Sequence, residues 1–480
     1  MMIRYLFLFL ALNAVPALAD TAIPDLGNPA GSVLSPQQEA EIGKKLMRLL
    51  RKHHMIIEDP LVTHYIQSLG YKLVAQSDQP QRKFTFFVLK DNSINAFAAP
   101  GAYIGVNAGL IETAKSESEL AAVVAHEVAH ITQNHMSRMY ASKKRRGIAV
   151  AAAMIAALIA SKGNSQLTKG VIATGIAGSY QAKVNFTRAN EKEADHIGIK
   201  ILAHAGFDPN AMAKFFQRMQ KATSLYGNRL PEFLSTHPVS TTRIADAQNR
   251  VGQFEVRQPK ENFNFYLMRA RIATLITRNP ARTLNRFKKA LSSGFTLNKD
   301  AARYGLALAL LRTTNPGAAR RHIEILLRKD PTRLAYIITS GEIALASRNA
   351  AKVKEVFEDA LVLYPNNYAV VYYYAQALTQ LKRYKRAYRL ISNYLSNPDN
   401  QVEAPLHQLY SLAAAKTGHL GEAFLHRGEY FYLNDQLKLA ITNLTKAASF
   451  KSNNEFLAAK IDARLRDFKR EVHIRKPKHH

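Results

Sequence analysis

The sequence predicts an α+β, mostly helical protein: a domain with a small β-sheet at about residues 20–255, then an all-α repeat array at 262–463. Three observations carry this. Two β-rich runs, Phe84 to Lys90 and Ala102 to Val106, have Pro100-Gly101 between them as a turn signal. A long apolar-patterned helix starts just after Ser116. From Asn262 the pattern is helical throughout, punctuated by Pro331, Pro365 and Pro398 at intervals of 34 and 33 residues.

Taken in chain order, Arg4, the apolar run Tyr5 to Leu12 and Ala17-Leu18-Ala19 before Asp20 read as a signal peptide, residues 1–19, cut after Ala19. The chain has no cysteine, so it is expected to carry neither a lipid anchor at the cleavage point nor a disulfide framework. The two β-rich runs are expected to pair as a small antiparallel sheet, whose edge offers backbone groups to an extended peptide.

The next helix opens on Ser116-Glu117-Ser118-Glu119, which has the form of a capping box. Leu120, Val123, Val124, Val128 and Ile131 continue at helical spacing toward Met136 and Met139. Inside it lies His126-Glu127-Val128-Ala129-His130. Side chains four apart project from one helical face, so both imidazoles can ligate a single Zn²⁺, one per chain. Glu127 is then placed to take a proton from a water that the metal activates. This is the layout of a zinc peptidase.

Two histidines leave zinc short of a ligand. Glu191 and Asp195, four apart on an expected second helix, suit metal binding and support of a ligand imidazole respectively, with Glu193 pointing elsewhere. Alone, the same segment also reads as a solvated charged turn. His135 does not stand at the spacing of the extended metzincin motif, which makes a distant glutamate the more economical ligand.

His126-Glu-x-x-His130, Glu191-x-x-x-Asp195 followed by His196-Ile-Gly, and Asn95-Ala-Phe-Ala-Ala-Pro-Gly101 leading into Tyr103-Ile-Gly-Val-Asn-Ala-Gly-Leu110 together resemble the HtpX/Ste-type gluzincin metalloproteases. The resemblance spans roughly residues 35–250 and is strongest to a periplasmic branch with a C-terminal helical repeat domain. It implies zinc on His126, His130 and Glu191, Glu127 as base and Asp195 as supporting acid. It also implies that Asn95, Ala96, Phe97 and Ala98 belong to the strand beside the substrate cleft. The implied activity is endoproteolysis of misfolded or stalled envelope proteins in the periplasm, with aid to their assembly. Partners would be those clients and the outer-membrane assembly machinery, reached through the repeats. The alternative is a chaperone or scaffold with minor proteolysis.

Ser235-Thr236-His237-Pro238 reads as an extended loop, held so by the proline. His237 there suits a fourth zinc position, a transition-state stabiliser or an ordinary surface histidine. Ile148 to Ala160, thirteen apolar residues after Lys143-Lys144-Arg145-Arg146, fall short of the roughly 20 needed to span a bilayer and read as a buried hairpin or a membrane-touching loop.

A period near 34 is the tetratricopeptide signature. Aligned on the prolines, Ala307 and Ala319, Gly341 and Val353, and Ala375 and Ala387 take the small-residue positions, with Val353 the departure. Residues 464–480 form a basic tail expected to lack structure. The net charge of +30 is spread along helices with no nucleic-acid motif. This argues against nucleic acid and leaves solvated faces, anionic lipid contact or an acidic envelope partner.

Overall fold

The computed structural model describes residues 35–136, 188–226, 232–254, 262–400, 402–450 and 454–475. The leader, the basic and apolar stretch from Lys143 to Gly178 and the end of the tail lie outside the described residues. Among those described, no helix is long and apolar enough to cross a membrane.

Helices α1 (Pro36–Lys52) and α2 (Pro60–Val74) precede strands β1 (Thr85–Leu89), β2 (Ala96–Ala99) and β3 (Tyr103–Asn107). The sheet order is β1-β3-β2. β3 pairs parallel with β1 and antiparallel with β2, so the expectation of a purely antiparallel sheet is corrected. The reason is topological: β2 takes the outer edge and a tight turn returns the chain between them, which makes β3 run in the direction of β1. Gly101 and Ala102, at φ 78° and 61°, form that turn.

A short α3 (Ala108–Thr113) leads into α4 (Glu117–Thr132), buried from Ser118 to Thr132. Ser116 caps it by accepting from the Glu119 amide, while the Glu119 carboxylate reaches back one residue further to accept from the Lys115 amide at 2.7 Å. The helix stops at Thr132 rather than running on toward Met139, because Asn134 turns left-handed at φ 51°. Then come α5 (Arg188–His204), α6 (Asn210–Tyr226), α7 (Glu232–Thr236) and α8 (Thr241–Val251). Gly198 lets α5 approach α4 closely: a Cβ there would lie 3.2 Å from the His126 backbone nitrogen.

The repeats are helix pairs: α9 (Phe263–Leu275) with α10 (Pro280–Ser293), α11 (Lys299–Arg312) with α12 (Pro316–Lys329), α13 (Leu334–Ala346) with α14 (Ala350–Leu363), and α15 (Tyr368–Gln380) with α16 (Tyr384–Leu395). They continue through α17 (Ala404–Lys416), α18 (Leu420–Leu433), α19 (Leu437–Ser449) and α20 (Glu455–Arg475). The repeat is visible in the backbone: Thr314, Arg348 and Lys382, each 34 positions after the last, hold positive φ in the turn between paired helices. Ala307, Ala319, Ala375 and Ala387 are fully buried, and Gly341 accepts the Phe357 ring where a side chain would collide. The expectation that the chain lacks structure from Arg464 onward fails as far as Arg475. Phe468 is buried on α20 and Arg464 forms a two-point ion pair with Glu429 at 2.6 and 2.8 Å, so hydrophobic anchoring outweighs the basic charge.

The array docks on the first domain. Asp59, the N-cap of α2, accepts from Arg271 Nε and from the Tyr373 hydroxyl, both at 2.8 Å. Arg48 on α1 donates to the Tyr432 hydroxyl at 2.9 Å and to Glu471 at 2.8 Å.

Candidate metal centre

Helical spacing turns His126 and His130 to one side of α4, and α5 crosses there with Glu191 in its first turn and Asp195 one turn on. His126, His130, Glu191 and His237 are all buried, and one donor atom from each falls into a single group within 4.8 Å. His126 Nε2 lies 2.9 Å from His130 Nε2, 3.3 Å from His237 Nδ1 and 3.5 Å from a Glu191 oxygen. Glu191 Oε1 lies 3.4 Å from His130 Nε2 and 3.0 Å from His237 Nδ1. Donors held about 2.0–2.1 Å from a tetrahedral zinc stand about 3.3–3.4 Å from one another. These five separations, which draw on both Glu191 oxygens, scatter around that edge length, so the donor set suits a zinc ion.

The surrounding charges are specific. Glu127, Glu191 and Asp195 are all buried around the donor group, and the Arg243 guanidinium lies against the last two. Arg243 grips both Asp195 oxygens, at 2.7 and 2.8 Å, lies 2.9 Å from Glu191 and donates to the Pro238 carbonyl. Burial disfavours a proton on His126, yet the Asp195 and Glu191 carboxylates push its pKa up to about 9. Asp195 Oδ1 is 3.0 Å from His126 Nδ1, the ring nitrogen turned away from the donor group. Burial also opposes ionisation of Asp195 and Glu191, but their cationic and hydrogen-bonding neighbours hold both below the usual carboxylate range.

Glu127 differs. Burial pushes its carboxyl up, and Oε1 makes no hydrogen bond, lying 3.4 Å from His237 Nε2. The Ala98 backbone amide faces this carboxylate, which sets the outer edge of β2 beside the donor group. Of Asn95, Ala96, Phe97 and Ala98, the last three form that edge strand. Asn95 precedes it, buried, its carbonyl accepting from the Asn107 amide at 3.0 Å.

Two expectations change here. His237 does not follow an extended loop: α7 precedes it, its amide donates to the Phe233 carbonyl at 2.8 Å, and burial excludes the surface reading. Glu193 does face away from the four donors, but it reaches His135, whose Nε2 is 3.0 Å from its carboxylate. Arg243 was not singled out from the sequence. Its one signal was position: an arginine in the first turn of the helix that follows His237-Pro238.

The sequence profile of peptidase family M48 matches residues 60–251. A putative beta-barrel assembly-enhancing protease of Vibrio cholerae serotype O1 is 34% identical over 464 residues, covering 96% of this chain and 95% of that protein. The beta-barrel assembly-enhancing protease of Escherichia coli K12 is 30% identical over 455 residues, 94% of this chain and 93% of its own. Over 196 residues, 41% of this chain and 55% of that protein, the similarity extends at 31% identity to the mitochondrial metalloendopeptidase OMA1 of Schizosaccharomyces pombe.

Proposed function

We propose that this chain, which belongs to peptidase family M48 and is a metallopeptidase, cuts polypeptides with one zinc ion held by His126, His130 and Glu191. The observation that carries this is the set of donor separations, 2.9 to 3.5 Å, beside a carboxylate with an unsatisfied oxygen. When bound, zinc supplies Lewis acidity to water and to the scissile carbonyl. Glu127 takes the proton from the attacking water and passes it to the leaving amine; the raised affinity that burial gives its carboxyl suits both halves of that transfer. Asp195 orients the His126 ring, and Arg243 holds Asp195 and Glu191 in place. The outer edge of β2 lines up an extended substrate by strand addition.

His237 completes the donor group in this conformation, in the position that substrate and water need. It acts as a gate: the α7 segment, tied to the sheet by the Phe233 amide to the Ile94 carbonyl at 3.0 Å, withdraws it when a client enters. The substrates are misfolded or stalled outer-membrane β-barrel proteins in the periplasm; the names of the relatives, which span nearly the whole chain, support the link to β-barrel assembly. In this reading residues 1–19 are an export signal, 20–255 the catalytic unit, and 262–463 a tetratricopeptide surface that receives the client or the assembly machinery. The basic surface adds peripheral contact with anionic lipid. A mainly chaperone role for the repeats is the alternative, supported by how much of the chain they occupy.

The test is metal analysis of the purified chain beside cleavage of an unfolded outer-membrane protein. One zinc per chain is expected, with cleavage lost to a chelator and restored by zinc, and His237→Ala should cleave faster while keeping its metal. A metal-free chain that cleaves equally well with chelator present would overturn the reading.

A further inference from the structure

His130 keeps its second ring nitrogen away from the donor group, and what meets it there is another imidazole. His130 Nδ1 is 2.9 Å from His135 Nδ1, and the other nitrogen of His135 is 3.0 Å from the Glu193 carboxylate. His135 is fully buried, whereas the Glu193 side chain is 39% exposed, so the chain of contacts runs from the donor group to the protein surface. The backbone is built for this. The left-handed turn at Asn134, φ 51°, ends α4 and folds His135 back under His130. Gln79 donates to the Thr132 carbonyl at 2.8 Å, pinning the helix end from which the turn departs.

The proton positions follow from the chemistry of imidazole. A neutral ring has one nitrogen with a free lone pair and one that carries hydrogen. If His130 offers the Nε2 lone pair to a metal, its Nδ1 carries the hydrogen and must donate. His135 Nδ1 is then the acceptor, which puts the His135 hydrogen on Nε2, aimed at Glu193. Any other arrangement sets two lone pairs or two hydrogens against each other across 2.9 Å. His126 is supported differently, by a carboxylate directly: Asp195, itself gripped by Arg243.

We propose that His135 and Glu193 are a positioning pair that fixes the tautomer and ring orientation of His130, so that one metal-binding histidine is set by a relay from the surface while the other is set by a buried ion pair. This deepens the zinc reading of the site and rests on it. Glu193, which the sequence pattern leaves without a role, acquires one through His135.

The experiment uses the full chain, stripped of metal, with Zn²⁺ affinity measured by competition against a chromophoric chelator and the visible spectrum recorded after Co²⁺ loading. His135→Phe removes the acceptor and should weaken zinc by roughly 10 to 100-fold and change the Co²⁺ bands. His135→Gln, which offers a carbonyl oxygen to the same hydrogen, should recover most of the affinity. Glu193→Ala, which removes the acceptor of His135 from a partly exposed position, should give a smaller loss of the same kind. Wild-type affinity and spectrum in both His135→Phe and Glu193→Ala would overturn the pairing; if His135→Phe fails to fold, an unchanged Glu193→Ala overturns it alone. A wild-type chain that binds neither ion would instead sink the zinc reading and this inference with it.

Discussion

The cluster around Asp59 and Arg271, between the catalytic domain and the repeats, and the cluster around His126 and Glu191 are equally dry but built on opposite plans. In the first, every nitrogen of the Arg271 guanidinium meets an acceptor. Arg271 donates to Asp59, to the Tyr373 hydroxyl at 2.7 Å and to the Tyr304 hydroxyl at 3.1 Å, with Glu342 at 3.4 Å; Tyr373 in turn donates to Asp59, whose other oxygen caps α2. In the second, ring nitrogens and carboxylate oxygens that can each offer a lone pair converge on one point, and an oxygen of Glu127 has no hydrogen bond. Burial of charge therefore does not mark a functional site by itself. Convergence of acceptors does, because only a cation can satisfy it.

Substitutions can break this contrast. The largest expected effect is on rate: Glu127→Gln should lower kcat by about 10²–10⁴-fold while zinc content and thermal midpoint hold, since glutamine keeps the shape of the side chain and an oxygen for the Ala98 amide but takes no proton. Activity within a few-fold of wild type would remove Glu127 as base. In the other cluster the effect should fall on stability alone. Arg271→Met leaves Asp59 buried beside Tyr373 without its cation and should cost about 3–5 kcal/mol, read from denaturant unfolding, with zinc affinity unchanged. A loss of zinc with no loss of stability would reverse the assignment of the two clusters.

Asp195→Asn should sit between them, lowering zinc affinity or turnover by roughly 10 to 100-fold, because it touches the metal group only through His126 and Arg243. Equal losses from Asp195→Asn and Glu191→Gln in a chelator competition would mean that both carboxylates bind metal.

A third group responds to pH instead: His407 and His426 in the repeats, with Nδ1 atoms 2.8 Å apart. Burial pushes His407 down to about 4 and His426 well below its usual value. Both are lower in the folded chain than the roughly 6.5 of the unfolded one, so the fold favours their neutral forms. Their contribution is complete above about pH 6.5 and drains away as pH falls toward about 4, at no more than about 1.4 kcal/mol per pH unit for each histidine. Unfolding midpoints measured from pH 7 to 4.5 should fall, and His407→Leu should flatten the slope. An unchanged slope would remove the pair from the acid response.

Much of the site was legible because its parts are local. His126 and His130 share a helical face by spacing alone, Glu127 is their neighbour, and Glu191 and Asp195 share a face on the next described helix. Arg243 and the link from Glu193 to His135 were not legible. Each depends on a contact between segments about 50 residues apart, and an arginine or glutamate on a helix reads as solvated until something is shown to cover it. The strand order failed for the same reason: the β-rich runs are local signals, but which strand takes the middle of a sheet is decided by pairing.

By itself, then, the sequence determined the helices and their caps, the 34-residue period of the array and the spacing of the metal-type residues, since all follow from φ/ψ preference and periodicity within one or two turns. Only the tertiary structure decided that α5 crosses α4 at Gly198, that α7 brings His237 into the donor group and that Arg271 meets Asp59 across the two domains. These are contacts between residues from 46 to 212 positions apart in different secondary-structure elements, and they form only when packing of the buried faces brings their backbones together.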